Sequence, residues 1–239
     1  MGRTALARGG APATVPRMRT RLLPILPAAL LALALTPGVA AAKGARADAR
    51  AIGSAVKELR SGIAAAKPAI DANAAVLKEP GCRAAIEQIP SERLDNALRP
   101  VAIVEVEVVA HPIKPAFAAF GQRLEAVEPR DRALRGGLIA TRPQVSAFAQ
   151  IAAPPADFCS RMVAWSQAGY PAGGQPQVAD PGVEALLESV TKAHGRRLLR
   201  AERRLRRLGV SRKVAAWFSG RKDVGAGIIP TDLPTPGGG

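Results

Sequence analysis

The sequence predicts an all-α fold, an antiparallel (up-down-up-down) helical bundle, from three observations. Apolar residues recur at three- and four-residue intervals through most of the chain, the spacing that buries one stripe of a helix. Breaks carrying proline and glycine cut this pattern into segments with short connections, as a bundle requires. The only two cysteines, Cys82 and Cys159, come just after the first and third of the major turns, which lie at the same end of such a bundle.

The chain opens on an export pattern. Arg17, Arg19 and Arg21 form a basic region, Leu22 to Leu35 an apolar one broken by Pro24 and Pro27, and Ala40-Ala41-Ala42 a small-residue cleavage site. The apolar run is too short and too proline-rich to cross a bilayer core of ~30 Å as a helix. Residues 1–42 therefore read as a signal peptide, with Met18 the more natural start and residues 1–17 an upstream extension. The mature chain is expected to begin near Lys43 and to be secreted or held in the cell envelope, with no transmembrane span. An even cysteine pair in such a compartment predicts one disulfide, Cys82–Cys159.

Residues 43–169 supply the predicted bundle. Ile52, Val56, Leu59, Ile63, Ile70 and Leu77 keep helical register, with Pro68 expected to kink or split the helix and Pro80-Gly81 to end it. A second helical stretch runs from about Cys82 to His111, interrupted at Pro90, with Ser91 a suitable N-cap for the portion beyond the break. Leu94, Leu98, Val101 and Val108 share a face there. Within it, residues 101–110 (VAIVEVEVVA) also fit a strand with Glu105 and Glu107 on one side. No second strand offers itself as a partner, and an unpaired strand leaves its backbone unsatisfied, so helix is the expectation. His111-Pro112 and Pro115 predict a turn.

Phe117, Phe120, Leu124 and Val127 mark the next helix, ending at Pro129. Leu134, Leu138, Thr141, Val145 and Phe148 predict a bent helix through Gly136-Gly137 and Pro143, and Phe158, Met162 and Trp165 a short one stopping near Gly169. Residues 170–181 read as a linker. Residues 182–219 hold a basic helix on the stripe Val183, Leu187, Val190, Leu198, Ala201, Leu205 and Leu208, ended by Gly209, then a short helix over 211–219. Residues 220–239 are expected to be disordered.

Charge is concentrated near the C-terminus. Residues 43–191 carry 17 basic and 16 acidic side chains, whereas residues 192–222 carry 12 basic ones against Glu202 alone. On a helical projection Arg196, Arg200, Arg203 and Arg207 lie opposite the apolar stripe, with Arg197, Arg204 and Arg206 on its flanks. Seven arginines in 12 residues suit phosphate or carboxylate partners. A solvated outer face with a Glu202–Arg206 pair accounts for the same residues without a partner.

Motifs for catalysis or metal binding are missing. The two histidines, His111 and His194, lack the further ligands that zinc needs; His111 is expected to cap a helix end and His194 to sit in the apolar stripe. Glu105 falls in the stripe of its helix and would need a partner there or stay protonated. No nucleophile elbow, zinc-protease pair, haem-attachment motif or phosphate-cradling loop occurs. A non-catalytic protein without cofactors is expected.

Its leading reading is an exported helical protein that binds anionic lipid headgroups, wall polyanions or an acidic protein through the arginine helix. A second reading is nucleic-acid binding: residues 201–220 resemble a helix-turn-helix, with Gly209-Val210-Ser211 at the turn and a Trp- and Phe-bearing helix after it. The fit is imperfect, since Arg204 and Ala215 stand where larger apolar side chains belong. A third reading is a bundle enclosing a small apolar ligand, with Glu105 or His194 as its polar handle.

Overall fold

The computed structural model describes residues 36–189, 192–221, 230 and 232–237. Most of the predicted signal peptide, together with Val190, therefore lies outside the described residues, and so do the side chains of Leu187 and His194. Ala40–Gly239 forms one compact unit. Nine α-helices and no strand occur among the described residues: α1 (Thr36–Ala65), α2 (Lys67–Lys78), α3 (Pro80–Glu87), α4 (Leu94–Glu125), α5 (Arg132–Gln150), α6 (Phe158–Gln167), α7 (Pro181–Ser189), α8 (Lys192–Arg207) and α9 (Arg212–Phe218). The all-α class is thus what the chain adopts.

The stripe of Ile52, Val56, Leu59, Ile63, Ile70 and Leu77 is buried as the spacing predicts. Its helix splits at Ala66, between α1 and α2, because Pro68 offers no N–H to the turn before it. Residues 101–110 are helical. The turn expected at His111-Pro112 and Pro115 does not form, however. Helix α4 runs through Pro100, Pro112 and Pro115. Proline at 112 deprives the Val108 carbonyl of its helical donor, and the Asn73 side chain of α2 supplies a substitute, Nδ2 to O at 3.5 Å.

Two further expectations on this helix fail. Ser91 opens a short 3₁₀ turn (Ser91–Arg93) and makes no side-chain cap. Leu98 is 46% exposed. The buried residues are Ala97, Val101, Val104 and Val108 on one side, Ile103 and Ala110 on another, so α4 packs on more than one flank and a single-stripe projection misplaces Leu98.

Three apolar clusters build the core, and α4 contributes to each. The first joins α1 to the C-terminal half of α4, to α5, α8 and α9, through residues such as Phe117, Leu134, Leu205 and Phe218. The second gathers α2, α3, the N-terminal half of α4 and α6 around Cys82, Phe158, Cys159 and Trp165. A small third cluster sets Ile103 and Ala110 against Ile151 and Val183. Cys82 and Cys159 are at disulfide distance, with Cα atoms 5.1 Å apart. Beyond α6, Gly169 (φ 76°) and Tyr170 (φ 55°) reverse the chain, and the Tyr170 hydroxyl donates to the Ala85 carbonyl at 2.9 Å. Residues 232–237 also lie near this second cluster: Asp232 pairs with Lys78 at 2.6 Å, and Leu233 packs on the cluster.

Helix α5 continues through Gly136-Gly137 and Pro143. At Gly137 it meets both C-terminal helices, and a Cβ there would sit 2.5 Å from the Ala201 methyl and 3.0 Å from the Phe218 ring.

Gly137→Ala should therefore push α5 off α8 and α9 and cost about 1–3 kcal/mol in urea unfolding. Replacing both cysteines by serine should lower the unfolding free energy by roughly 2–4 kcal/mol, because the link closes a long loop in the unfolded chain; the same urea series measures it.

Candidate functional site

Helix α8 ends in a regular glycine cap. Gly209 adopts φ 96°, its N–H bonds the Arg206 carbonyl at 3.1 Å, and Val210 N–H bonds the Leu205 carbonyl at 3.0 Å. Ser211 then caps α9, its hydroxyl accepting from Val214 N–H at 3.4 Å. This tight join presses the inner side of α8, Leu198, Ala201 and Leu205, and the inner side of α9, Val214, Ala215 and Phe218, into the first cluster. The opposite side of α8 faces solvent. Arg196, Arg197, Arg200, Arg203, Arg206 and Arg207 are exposed.

Arg204 behaves differently from the other six. It is half-buried, and its guanidinium donates to Asp131 Oδ2 at 2.6 Å. Asp131 is at the same time the N-cap of α5, accepting from the Ala133 and Leu134 N–H groups at 3.0 and 3.2 Å. Burial pushes its carboxyl pKa up, but the Arg204 guanidinium and these amides outweigh it and hold the pKa below the ordinary range. The expected Glu202–Arg206 pair does not form. Glu202 projects inward, 2% exposed, where it accepts from the Ser219 hydroxyl at 2.7 Å and pairs with Arg221 at 3.5 Å.

The buried acid of α4 is Glu107 rather than Glu105. Glu105 is half-buried, and burial raises its pKa. Glu107 is 2% exposed and hydrogen-bonds Asp180, itself 1% exposed. Burial and the neighbouring Asp180 push the Glu107 pKa from 4.5 to about 8, so at neutral pH it keeps its proton and donates a hydrogen bond to Asp180. Burial raises the Asp180 pKa too, but the N–H groups of Ala152, Val183 and Gly182 and the Glu107 hydroxyl hold it below its ordinary value. Asp180 thereby caps α7 through Gly182 and Val183 at 2.6 and 3.1 Å and fastens the chain after α5 through Ala152 at 2.7 Å. Glu107 Oε2 has no partner among the described groups.

His111 lies inside α4, partly exposed, and ends no helix. His194 lies outside the described side chains. Among the described residues no group of three His, Cys, Asp or Glu is placed to hold a metal, and no helix is long and apolar enough to cross a membrane. A cavity of about 250 Å³ lies in the first cluster, bordered by Phe117, Phe120, Phe148, Leu198 and Trp217, with Thr141 and Gln144 as polar neighbours. Glu105 does not line it. Trp217 is half-buried beneath the Arg60 guanidinium, 4.9 Å from its ring centre.

Comparison with known proteins adds no relative: no family model, curated protein or solved structure matches the chain.

The carboxyl pair makes stability depend on pH in a defined direction. The folded chain keeps a proton on Glu107 that the unfolded chain releases above pH 4.5, so its stabilisation is complete below that pH and declines as pH rises towards 8. Asp180 acts oppositely: its stabilisation is present above about pH 3.8 and is lost as pH falls. Glu107→Gln retains a donor but cannot ionise. It should flatten the decline between pH 4.5 and 8 in a series of urea midpoints.

Proposed function

We propose that this chain is an exported, non-catalytic helical protein that binds an anionic partner through the outer side of α8. The observation that carries the reading is a row without counter-charge. Arg196, Arg200, Arg203 and Arg207 follow one another at four, three and four residues, about 16 Å along the helix at ~1.5 Å per residue. Each is exposed, and none forms an ion pair among the described residues. Like charges held this close repel one another, a cost that an anionic partner would remove.

Export agrees with the basic and apolar opening of the chain, with the cysteine pair, and with the lack of a membrane-crossing helix among the described residues. The bundle reading belongs to the same proposal. Contacts of α1 and α2 with α4 run in opposite order, Glu58 to Arg123, Gly62 to Ala116 and Asn73 to Val108, as antiparallel neighbours require. The contacts of α5 with α8, Asp131 to Arg204 and Gly137 to Ala201, do the same.

The cavity among Phe117, Phe120 and Phe148 favours a second reading, a small apolar ligand held in the core, with Gln144 or Thr141 as polar neighbour. Nucleic-acid reading by α9 is not favoured, because only Arg212 and Lys213 of its side chains are exposed and Trp217 is half-buried beneath Arg60.

Co-sedimentation with envelope material tests the leading reading. Binding at low salt should fall as salt rises, and changing Arg196, Arg200, Arg203 and Arg207 to Gln should weaken it by about tenfold or more. Binding that ignores both salt and the substitutions would refute it.

A further inference from the structure

Helix α1 repeats the charge spacing of α8. Arg46, Arg50 and Lys57 keep the same four-then-seven interval as Arg196, Arg200 and Arg207, with Gly53 in the place that Arg203 holds. All three α1 cations are exposed, and none is ion-paired among the described residues. The nearby acids make no ion pair with these three: Glu58 is held by Arg123 at 3.1 Å and accepts from the Ser54 hydroxyl at 3.4 Å through its other oxygen, and Asp48 lies on the other side of the helix turn. Where the row lacks a side chain, at Gly53, the turn between α8 and α9 closes in. A Cβ on Gly53 would come within 3.5 Å of Val210.

The result is a depression of about 320 Å³ with Arg50, Ser54 and Lys57 on one wall and Gly209, Val210 and Ser211 on the other. At ~30 Å³ per water it has room for a short stretch of polymer backbone, but not for a folded partner. Arg206 and Arg207 precede this turn, and Arg212 and Lys213 come after it, all exposed. Two α1 cations, Arg50 and Lys57, thus line the depression itself, and the α8 row ends at Arg207, two residues before the turn that forms the other wall.

We infer that this depression grips a linear phosphodiester polymer by its backbone charge, with the α8 arginines continuing the track. The inference rests on the anion-binding reading above and adds the site and the partner's chemistry. A concave, chain-sized site suits a strand better than a flat bilayer. Insertion into lipid has little to work with either: among the described large apolar residues only Val76, Leu98, Ile139 and Leu199 are exposed, and Leu199 alone lies among the arginines. Recognition of unstacked bases lacks its platform as well. Every aromatic ring is buried or half-buried, and Trp217 is covered by Arg60.

The test uses the intact chain and two probes of related chemistry, poly(glycerol phosphate) and phosphatidylglycerol vesicles. The polymer should bind more tightly than the vesicles. The double variant Arg50→Glu, Lys57→Glu should weaken polymer binding by about tenfold or more and flatten the log K against log salt slope by roughly 1.4, at ~0.7 per lost contact. Unchanged thermal melting, and a milder loss with Arg50→Gln, Lys57→Gln, separate this from misfolding. A charge-reversed depression that binds the polymer like the parent overturns the site, while the α8 reading survives if Arg196→Glu, Arg200→Glu, Arg203→Glu still loses binding. Binding to vesicles with none to free polymer overturns the polymer assignment. Absence of binding to either probe overturns both readings.

Discussion

Three prolines within a single 32-residue helix would ordinarily end it, and the persistence of α4 sets the conditions for everything packed around it. Each proline removes a donor, so the helix survives only where neighbours take over the stranded carbonyl or bury the flanking side chains. Asn73 does the first at Val108. The three apolar clusters do the second, since each draws residues from α4. Phe117 and Phe120 anchor the C-terminal helices, Val101 and Val104 the disulfide region, and Ile103 and Ala110 the small patch under α7. Among the described helices α4 is the one that contributes residues to all three clusters.

A division of charge arises from that packing. The carboxyl groups of Asp131, Asp180, Glu107 and Glu202 are turned inward at junctions, where they cap helices or join neighbouring elements. Arginines stay largely outside, with Arg204 the exception that joins α8 to α5. Acids committed to internal joints do not pair with the outer arginines of α8, and the exposed cations of α1 likewise form no ion pair among the described residues. One allocation of side chains thus accounts both for how α7, α8 and α9 are held and for the field they present.

The helical class, the cysteine pair and most of the buried stripe are legible from spacing, because each rests on local periodicity or on a count. Three features are not. Proline's local preference divides α4 into two pieces on paper, whereas the side chain that relieves the break, Asn73, is 35 residues from Val108. A single stripe drawn through Leu98 selects Glu105 over Glu107, and a helix buried on several sides has no single stripe. Composition puts Asp180 in a linker, although Asp before Pro-Gly is also an N-cap signal for a helix opening on proline. For the site, the arginines of α8 are plain in the sequence. The α1 row is hidden, since Gly53 interrupts it and only the fold carries the Gly209 turn to its side.

The Cys82–Cys159 link spans 77 residues and encloses α4 and α5 while leaving α1, α2, α7, α8 and α9 outside the ring. During synthesis the ring can close only once Cys159 has emerged, after the whole of α4 and α5 and before the arginines of α8. A nick anywhere in the enclosed stretch would leave two pieces still tethered, to part only on reduction. In a compartment with active proteases, such a chain could be cut in a surface turn such as 126–131 and still hold its arginines in place.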